Sequence, residues 1–305
     1  MKKSPYSVSI VLPNWNGERL LEHNLPAVIR SAPDAEIIVS DDASSDGSVA
    51  LLRKNFPSVK VVVNAVRQGF SGNVNSGVAK ATGDIVILLN TDVRPEQGFL
   101  TPLLAHFSDP KVAAVGCLEE SHEKDGLVKR GRGIARWEKG FFIHSRGEVN
   151  KSDTAWVSGG SSAYRRSVWR ELGGMDTVYN PFYWEDIDLS YQMLKSGYII
   201  KFEPKSVVGH YHEEGKIKTS YTPENVKRIV YRNQFIFLWK NISDPILWMS
   251  HCFWMPVRLF QALLHGDFPM LQGYGMMLGK LMAIQKSRMR AEKYWKLRDT
   301  EIFSS

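Results

Sequence analysis

Two carboxylate groups, far apart in the sequence, have the residue types and settings that chemistry on a bound substrate requires. The first is Asn90-Thr91-Asp92, which directly follows the apolar segment 85–89. A carboxylate at the end of a buried strand can bind a hard divalent cation, and such a cation neutralises charge that develops on a leaving group. An aspartate at a strand end is also a common turn or capping residue, so this motif alone is a weak signal.

The second group is Glu185-Asp186, at the start of a segment in which Ile187, Tyr191 and Leu194 have helical spacing. A helix N-terminus stabilises an ionised carboxylate. The aromatic run 182–184, which includes Trp184, can stack on a sugar ring and exclude water. An ionised Asp186 can then accept a proton from a hydroxyl group as a general base.

A further pair of aspartates, Asp41 and Asp42, follows the second apolar run and precedes Ser44-Ser45-Asp46-Gly47. Serine, aspartate and glycine here suit a turn and a helix cap. Capping does not require two adjacent aspartates before it. One of the pair can accept the N3–H of a pyrimidine base, with Asp42 as the preferred residue and Asp41 as the alternative.

Gly159-Gly160 and His210 are candidates with two readings each. The glycines form either a simple turn or a point where the backbone approaches a ligand closely, and Gly160 is the one expected to bind substrate. His210 is either a structural histidine or completes a metal or diphosphate site with Asp92. Lys216 and Lys218 lie where a flexible lid would touch phosphate, although a solvated lysine face is their usual role.

The elements that must position these residues follow a β-α-β-α pattern through the first hundred residues. β-branched or leucine-rich runs alternate with segments of helical spacing, which predicts an α/β fold with a Rossmann-like, mostly parallel central sheet flanked by helices. Because ligands bind at the carboxyl ends of such strands, the polar residues that end the runs are expected to share one crevice. The predicted strands are 8–12, 36–40, 59–64 and 85–89, and the predicted helices are 48–56 and 71–80.

The composition and net charge of the chain indicate which classes of partner and which compartment it favours. The net charge of +7 over 305 residues favours anionic partners such as a nucleotide diphosphate or an anionic membrane face. Nucleic acid is the least supported partner, because no basic run interleaved with aromatic residues occurs in the first two hundred residues. The two cysteines, Cys117 and Cys252, fit a reducing cytoplasm. The apolar run 7–12 is too short for a signal peptide.

Beyond about Thr222 the pattern becomes helical. The segment Pro245–Leu264 is strongly apolar, but His251, Pro256 and Arg258 interrupt it, and a membrane-spanning helix needs about 20 apolar residues largely free of charge. The basic stretch 280–298 follows, which predicts an interfacial helix that associates with an anionic membrane. The alternatives are a helical cap packed on the preceding domain, or a dimer interface.

These motifs together resemble the family 2 glycosyltransferases, which have the GT-A fold, and especially their rhamnosyltransferase-like branch. The resemblance covers most of residues 8–210 and rests on the order and spacing of several motifs. The motifs are Val8-Ser9-Ile10-Val11-Leu12-Pro13-Asn14-Trp15-Asn16, Asp41-Asp42-Ala43-Ser44-Ser45-Asp46-Gly47-Ser48, Gly69-Phe70-Ser71-Gly72-Asn73 with Asn75, Leu88-Leu89-Asn90-Thr91-Asp92, Gly173-Gly174-Met175-Asp176, and Glu185-Asp186-Ile187-Asp188-Leu189 with Gly197 and His210.

The resemblance implies an inverting transfer of a sugar from a UDP- or dTDP-sugar to a hydroxyl of a glycan or lipid-linked acceptor in cell-envelope polysaccharide synthesis. The enzyme is expected to be cytoplasmic, at the inner face of the membrane, and to use Mg²⁺ or Mn²⁺. The implied roles are a catalytic base for Asp186, a metal site for Asp92 and His210, and substrate or nucleotide binding for Pro13, Trp15, Asp41 or Asp42, Asn90, Gly160, Trp184 and Glu185.

The expected organisation is a catalytic domain, 1–221, followed by a helical region, 222–305. The catalytic domain comprises a nucleotide-binding half, 1–118, and an acceptor half, 119–221, which begins with a mobile loop or irregular hairpin over 119–151. The chain departs from the family at two positions. Asn90 replaces the first aspartate of Asp-x-Asp, which either lowers ion affinity or leaves Asn90 to contact the ribose, and Gln192 stands where relatives often have arginine.

Two other functions compete with this interpretation. A Rossmann dehydrogenase is disfavoured, because no Gly-x-Gly-x-x-Gly follows the first strand. A catalytically inactive module with the same fold would bind a nucleotide or glycan tightly, without metal dependence and without any effect of replacing Asp186.

Overall fold

A computed structural model describes residues 5–123, 126–210 and 220–303. The strands within these ranges are β1 (Val8–Asn14), β2 (Glu36–Asp41), β3 (Lys60–Val63), β4 (Ile85–Leu89), β5 (Val93–Pro95), β6 (Val112–Glu123), β7 (Gly126–Arg130), β8 (Gly133–Glu138), β9 (Phe141–Arg146), β10 (Ser161–Arg165) and β11 (Ile199–His210). Nine of the described strands form one sheet, in the order β3-β2-β1-β4-β10-β6-β11-β5 with β7 paired to β6, and the other two form a separate hairpin, β8-β9.

Helices cover the sheet and continue beyond it. The first six pack on or beside the sheet, and the last five form the C-terminal helical region. The helices are α1 (Glu18–Ser31), α2 (Ser48–Asn55), α3 (Gly69–Ala79), α4 (Leu100–Ala105), α5 (Arg166–Leu172), α6 (Glu185–Lys195), α7 (Pro223–Asn241), α8 (Pro245–Leu264), α9 (Phe268–Leu278), α10 (Leu281–Ala291) and α11 (Asp299–Phe303).

The first four strands are parallel, as the sequence predicts. β1 lies between β2 and β4, and β3 pairs with β2. Every residue of β4 is fully buried, because helices on both faces of a parallel sheet leave no side of a central strand in water. Asn14 pairs with Asp41 at the carboxyl ends of β1 and β2, so the polar ends of these strands gather at one edge.

The second half of the sheet mixes parallel and antiparallel pairs. β10 runs antiparallel to both β4 and β6, while β11 runs parallel to β6 and antiparallel to β5. This arrangement pairs His210, at the end of β11, with Val93 of β5 and with Ser121 of β6. The last residue of β11 is thereby brought next to the segment that follows β4.

The segment 119–151 is strand-rich, so the expected mobile loop is wrong and the hairpin alternative is closer. It contains the end of β6, then β7, and then the hairpin β8-β9, whose turn is formed by Lys139 and Gly140 with positive φ. Phe141 and Phe142 of β9 are buried. These two aromatic residues anchor the hairpin, and the polar residues around them obscure its strand pattern in the sequence.

The C-terminal helices pack on the preceding domain, as the helical-cap alternative predicts. Phe235 and Phe237 of α7 share one apolar core with Phe142, Trp184 and Tyr191. The aromatic contacts across this core include a distance of 4.7 Å between the ring centroids of Phe142 and Phe237. None of the helices in the described ranges is long and apolar enough to cross a membrane.

Buried ion pairs also tie the C-terminal helices to α6. Lys240 of α7 places its Nζ 2.6 Å from Asp188 Oδ2 and 2.8 Å from Asp176 Oδ2. Lys195 pairs with Asp299 of α11 at 2.6 Å. Asp188 is therefore a partner in a buried ion pair rather than merely a favourable residue in the first turn of a helix.

Candidate active site

Two adjoining cavities open at the carboxyl ends of β1, β2 and β4. The Trp15 cavity has a volume of about 190 Å³, and Pro13 and Trp15 are among its lining residues. The Asp186 cavity has a volume of about 500 Å³ and is lined in part by Asp186. Asn90 and Asp92 line both cavities, so the polar end of β4 is the boundary at which they meet.

Trp15 is fixed by a cationic partner within its cavity. The guanidinium carbon of Arg67 lies 3.4 Å from the centroid of the Trp15 ring, which is a cation–π contact. Both residues line the cavity together with Pro13. The cavity thus offers an apolar wall and a positive charge side by side, which suits an aromatic base attached to phosphate.

Asp42 lines the Trp15 cavity and also holds the turn before α3. Its Oδ1 accepts hydrogen bonds from Gln68 N at 2.6 Å and Asn64 Nδ2 at 3.2 Å, and its Oδ2 accepts one from Gly69 N at 3.0 Å. A carboxylate has about four acceptor positions, so one on Oδ2 is left for a ligand. Asp41 is fully buried and is not among the residues that line either cavity.

Asp92 and His210 meet at the boundary between the cavities. His210 Nε2 lies 3.3 Å from Asp92 Oδ1, and His210 Nδ1 lies 3.5 Å from Glu119 Oε2. Glu119, on β6, also accepts a hydrogen bond from the Ser161 hydroxyl. A carboxylate behind the second ring nitrogen orients an imidazole toward a metal ion and raises its basicity.

The charges of this cluster reinforce one another. Burial lowers the pKa of His210, but the carboxylates of Asp92 and Glu119 outweigh burial and raise that pKa to about 9. Burial raises the pKa of Glu119, but the contacts with His210 and Ser161 outweigh it and lower that pKa to about 2. The apo cluster therefore holds a proton on His210, and a metal ion would displace that proton on binding.

The donor set fits a Mg²⁺ or Mn²⁺ ion that is shared with a substrate. Two neighbouring ligands of an octahedral ion with bonds of about 2.1 Å lie roughly 3 Å apart, close to the 3.3 Å between Asp92 Oδ1 and His210 Nε2. No group of three or more metal-binding side chains occurs in the part of the chain that the structure describes. Substrate phosphates and water would complete the coordination, as is usual for Mg²⁺.

Asp186 begins α6 and is held by two backbone amides. Its Oδ2 accepts a hydrogen bond from Gly159 N at 3.1 Å, and its Oδ1 accepts one from Ile187 N at 2.8 Å. Burial raises the pKa of Asp186, and these amides oppose the increase. The remaining acceptor positions of the carboxylate are available on the cavity side.

Glu185 is a second buried carboxyl group beside Asp186. Its Oε2 has no hydrogen-bond partner among the described residues. Burial and then the charge of Asp186 raise the pKa of Glu185 well above its usual range. Because Asp186 has two amide donors, Asp186 ionises first and Glu185 retains its proton.

The Gly159-Gly160 turn joins the two predicted carboxylate sites. Gly159 binds Asp186 as described, and Gly160 O accepts a hydrogen bond from Asn90 N at 2.9 Å. A Cβ atom at Gly160 would collide with the Asn90 carboxamide. Gly160 is therefore required for the close approach of β4 to this turn, and it also lines the Asp186 cavity.

The loop before α6 is held by a residue of α7. Asn233 Nδ2 lies 2.9 Å from Tyr179 O, 3.0 Å from Phe182 O and 2.8 Å from Tyr183 O. Tyr183 and Trp184 both have positive φ, 68° and 77°, a conformation that bulky residues adopt only when surrounding contacts enforce it. Asn233 supplies such contacts directly before Asp186.

The three aromatic residues of this loop are not equivalent. The Trp184 ring is buried, with its centroid 4.9 Å from that of His144 and 5.3 Å from that of Phe237. Trp184 therefore forms a wall of the Asp186 cavity. Tyr183 is the exposed member of the run, and Phe182 is buried between the two cavities.

Gln192 lies away from both cavities. Its side-chain nitrogen donates a hydrogen bond to Asn241, and its Oε1 accepts one from Trp295 Nε1 at 2.7 Å. An arginine at this position, as relatives often have, would contact the C-terminal region in place of Gln192. Lys216 and Lys218 lie outside the described residues.

Residues 9–173 of this chain match the sequence model of the protein family described as "Glycosyl transferase family 2". The match spans more than half of the chain. The chain belongs to glycosyltransferase family 2. The predicted resemblance is thereby confirmed.

Curated relatives of this family 2 glycosyltransferase include two kinds of bacterial enzyme. It is 29% identical over 218 residues to a pre-mycofactocin glycosyltransferase of Mycobacterium tuberculosis, covering 67% of this chain and 43% of that relative. It is 29% identical over 226 residues to the O-antigen chain rhamnosyltransferase RfbN of Salmonella typhimurium, covering 71% of this chain and 68% of that relative. The chain thus spans less than half the length of the first.

Solved structures show that the fold is GT-A. GalNAc-T7 with UDP, GalNAc and Mn²⁺ superposes with a TM-score of 0.63 at 22% identity, covering 79% of this chain and 48% of that chain. A mannosyltransferase from Pyrobaculum calidifontis, in complex with GDP-Man and Mn²⁺, superposes with a TM-score of 0.55 at 17% identity and covers 94% of this chain and 86% of that chain.

Sequence reasoning missed four residues that build the site. Arg67 lies two residues before the motif Gly69-Phe70-Ser71-Gly72-Asn73 and outside it, and Glu119 lies in the segment for which the sequence predicts a mobile loop or irregular hairpin. Arg232, which donates to Tyr179 O and Asn180 O, and Asn233 lie in a helix assigned to the C-terminal region. The available signal is the run of three polar residues, Arg232-Asn233-Gln234, within the otherwise apolar stretch 229–239.

Proposed function

We propose that this family 2 glycosyltransferase moves a sugar from a UDP- or dTDP-sugar to a hydroxyl of a glycan or lipid-linked acceptor, with inversion, in cell-envelope polysaccharide synthesis. One observation carries the proposal: Asp186, Asp92 and His210 all line the same cavity. An ion-binding pair and a candidate base therefore face a common space, which a donor sugar can occupy.

The Trp15 cavity binds the nucleotide in this proposal. The Trp15 ring, braced by Arg67, packs against the base, while Pro13 lies beside it. Asp42 accepts the N3–H of the pyrimidine at its remaining Oδ2 position. Asn90, at the boundary with the Asp186 cavity, contacts the ribose or the diphosphate.

Asp92 and His210 would hold the Mg²⁺ or Mn²⁺ ion together with the diphosphate. The bound ion would supply neutralisation of the charge on the departing nucleotide diphosphate. Glu119 keeps the imidazole oriented, and its own low pKa keeps it ionised for that role. Both similar structures described above carry Mn²⁺, which supports a divalent ion here.

Asp186 is the general base of the proposal. As the acceptor oxygen forms its bond to the anomeric carbon, the bond from that carbon to the diphosphate breaks and the hydroxyl proton passes to Asp186. A single displacement of this kind inverts the anomeric centre. The Gly159 and Ile187 amides hold the carboxylate in place, and Glu185, Gly160 and Trp184 shape the space around the acceptor.

The names of the relatives support a lipid-linked or envelope acceptor. One further relative, 24% identical over 232 residues, is the N-acetylglucosaminyl-diphospho-decaprenol L-rhamnosyltransferase of Mycobacterium tuberculosis. Acceptors of that class reside in a membrane. The proposal accordingly places the enzyme at the cytoplasmic face of the membrane as a peripheral protein.

The test of the proposal is the Asp186→Asn variant. We expect donor binding to persist and the transfer rate to fall by about a hundredfold or more, because the loss of a general base removes a factor of this size. Asp109→Asn, at an exposed aspartate, is the control and should transfer sugar at the normal rate. Normal turnover in Asp186→Asn would reject the assignment.

A thermal-shift series separates the enzyme from an inactive binding module. UDP and dTDP are each added with and without Mn²⁺, and the preferred nucleotide should raise the melting temperature more when Mn²⁺ is present. If the chain is an inactive binding module, the nucleotide should raise the melting temperature equally with and without Mn²⁺. Replacing Asp186 should then have no effect on function.

A further inference from the structure

One side of α8 is apolar and exposed. Ile246, Met249, Phe253, Phe260 and Leu264 are 61–67% exposed, and their spacing of three, four or seven residues places them on one helix face. The opposite face carries the buried residues of α8. A soluble surface seldom leaves this much contiguous apolar area in water unless it binds something.

The same surface extends onto the helices that follow. Phe268 at the start of α9 is 56% exposed, and Leu281, Met282 and Met289 of α10 are 37%, 76% and 55% exposed. A groove of about 530 Å³ lies between the start of α8 and α10, where Trp248 is on one side. We call the exposed apolar residues of α8, α9 and α10 the apolar face.

Positive charge accompanies the apolar face. Residues 245–298 contain eight lysine and arginine residues and two acidic residues. Their net charge is therefore +6, compared with +7 for the whole chain. The exposed cations of this part are Lys286, Arg290, Lys293, Lys296 and Arg298. A second copy of the chain would bring this charge against itself, whereas an anionic surface would be attracted to it.

From this combination we infer that the apolar face is a docking surface for an anionic lipid bilayer, on which the helices lie in the plane of the interface. Apolar side chains enter the boundary of the acyl region while the cations meet lipid headgroups. Met, Phe and Leu supply the apolar contacts. His251, Pro256 and Arg258 lie within α8, and α8 is not apolar enough to span a bilayer.

This inference deepens the proposed function, because docking would bring the Asp186 cavity to a membrane-borne acceptor. It does not depend on glycosyl transfer. Docking is measured by vesicle binding, and transfer is measured with a soluble acceptor. Failure of one therefore leaves the other intact.

The contribution of the apolar face to membrane binding is tested with the full chain and vesicles of equal parts phosphatidylglycerol and phosphatidylcholine. Co-sedimentation should detect binding, and Met249→Glu/Phe253→Glu should weaken it by about tenfold or more, because two apolar anchors are replaced by anions. The control is Leu127→Glu, at an exposed apolar residue of β7, which should bind as the unmodified chain does. The melting temperature confirms that each variant is folded.

The electrostatic part is tested with Lys286→Glu/Arg290→Glu. This variant should bind the anionic vesicles about tenfold or more less tightly and with a weaker dependence on salt, because two cations near the lipid headgroups are replaced by anions. Arg53→Glu/Lys54→Glu, at exposed cations of α2, is the matched control. Vesicles of phosphatidylcholine alone should bind the unmodified chain more weakly than the anionic vesicles.

Three results would overturn the inference. The full chain would remain in the supernatant with anionic vesicles, or the α8 variant would bind them as tightly as the control. Alternatively, analytical ultracentrifugation would show a dimer that Met249→Glu/Phe253→Glu dissociates, which would make the apolar face an interface between two copies.

Discussion

The Trp15 cavity is built mainly from β1, β2, β4 and the turns that follow them, whereas the Asp186 cavity combines the glycine turn, β6, β11, the hairpin and a helix of the C-terminal region. In the first cavity Asp42 is held by Asn64, Gln68 and Gly69, all within 27 residues of it. In the second, the loop before Asp186 depends on Asn233, which lies 50 residues away from the nearest carbonyl that it binds.

The difference concerns what each half of the site needs in order to keep its shape. The Trp15 cavity, which is the nucleotide side in the proposed function, depends on local turns of a parallel sheet, so variants there should mainly alter donor affinity. The Asp186 cavity, which is the base side in that proposal, depends on distant packing, so variants in the C-terminal helices should alter turnover. Four predictions test this division, from the largest expected effect to the smallest.

Lys240→Met should strongly destabilise the fold. Removing the cation leaves Asp176 and Asp188 buried without their partner, and breaking a buried ion pair in this way destabilises proteins by about 3–5 kcal/mol. The free energy of unfolding is measured by chemical denaturation. Lys60→Met, at an exposed ion pair with Glu36, is the control and should change it by less than about 1 kcal/mol. Equal effects would show that the C-terminal helices do not support the base side.

Asn233→Ala should reduce kcat by about tenfold or more while donor affinity stays the same, because a small displacement of a catalytic group greatly slows a reaction. Steady-state kinetics with a soluble acceptor and nucleotide titration measure the two quantities. The neighbouring Gln234→Ala, which loses a hydrogen bond to Phe142 O, is the control. A rise in the KM of the donor with unchanged kcat would contradict the positioning role of Asn233.

Asp42→Asn should raise the KM of the donor by roughly tenfold, since hydrogen bonds to a charged group contribute about 1.5–3 kcal/mol. kcat should change little, because Asp42 does not line the Asp186 cavity. The comparison with Asn233→Ala is direct: one variant alters KM and the other alters kcat. A fall in kcat alone for Asp42→Asn would remove the distinction between the two cavities.

The pH dependence of kcat/KM supplies the smallest effect. Asp186 acts as a base only when ionised, so activity should be lost as the pH falls through its pKa, and burial raises that pKa above the ordinary value for aspartate. Glu185 keeps its proton while Asp186 titrates, so Glu185→Gln should leave the acidic limb of the profile unchanged. Loss or displacement of the limb in this variant would assign the ionisation to Glu185 rather than to Asp186.

The sequence predicts the local structure around the Trp15 cavity well and that around the Asp186 cavity only in part. Local sequence patterns predict the four parallel strands, the polar residues at their ends and the helix that begins at Glu185-Asp186. The structure contains all three. Asp92 and His210 lie 118 residues apart in the sequence, and only the β11-β5 pairing shows that they meet. The resemblance to a known family placed them together before the structure did.

The remaining features depend on tertiary contacts that have no local signature. Glu119 supports His210 because β6 and β11 are neighbours, and Asn233 supports the loop before α6 because α7 packs against it. The sequence predicts a stacking role for Trp184, but the contacts that bury its ring, with His144 and Phe237, have no local signature. Asp188 lies in the first turn of α6, and only the fold brings Lys240 beside it.

The most direct test of the account is a crystal of the full chain soaked with UDP and Mn²⁺, with the ion located by its anomalous scattering. The account predicts a Mn²⁺ peak at Asp92 and His210, with the diphosphate bound to it and its free end directed into the cavity that contains Asp186. An ion bound elsewhere, or a diphosphate that points away from Asp186, would contradict the central claim that the metal pair and the base act in one cavity.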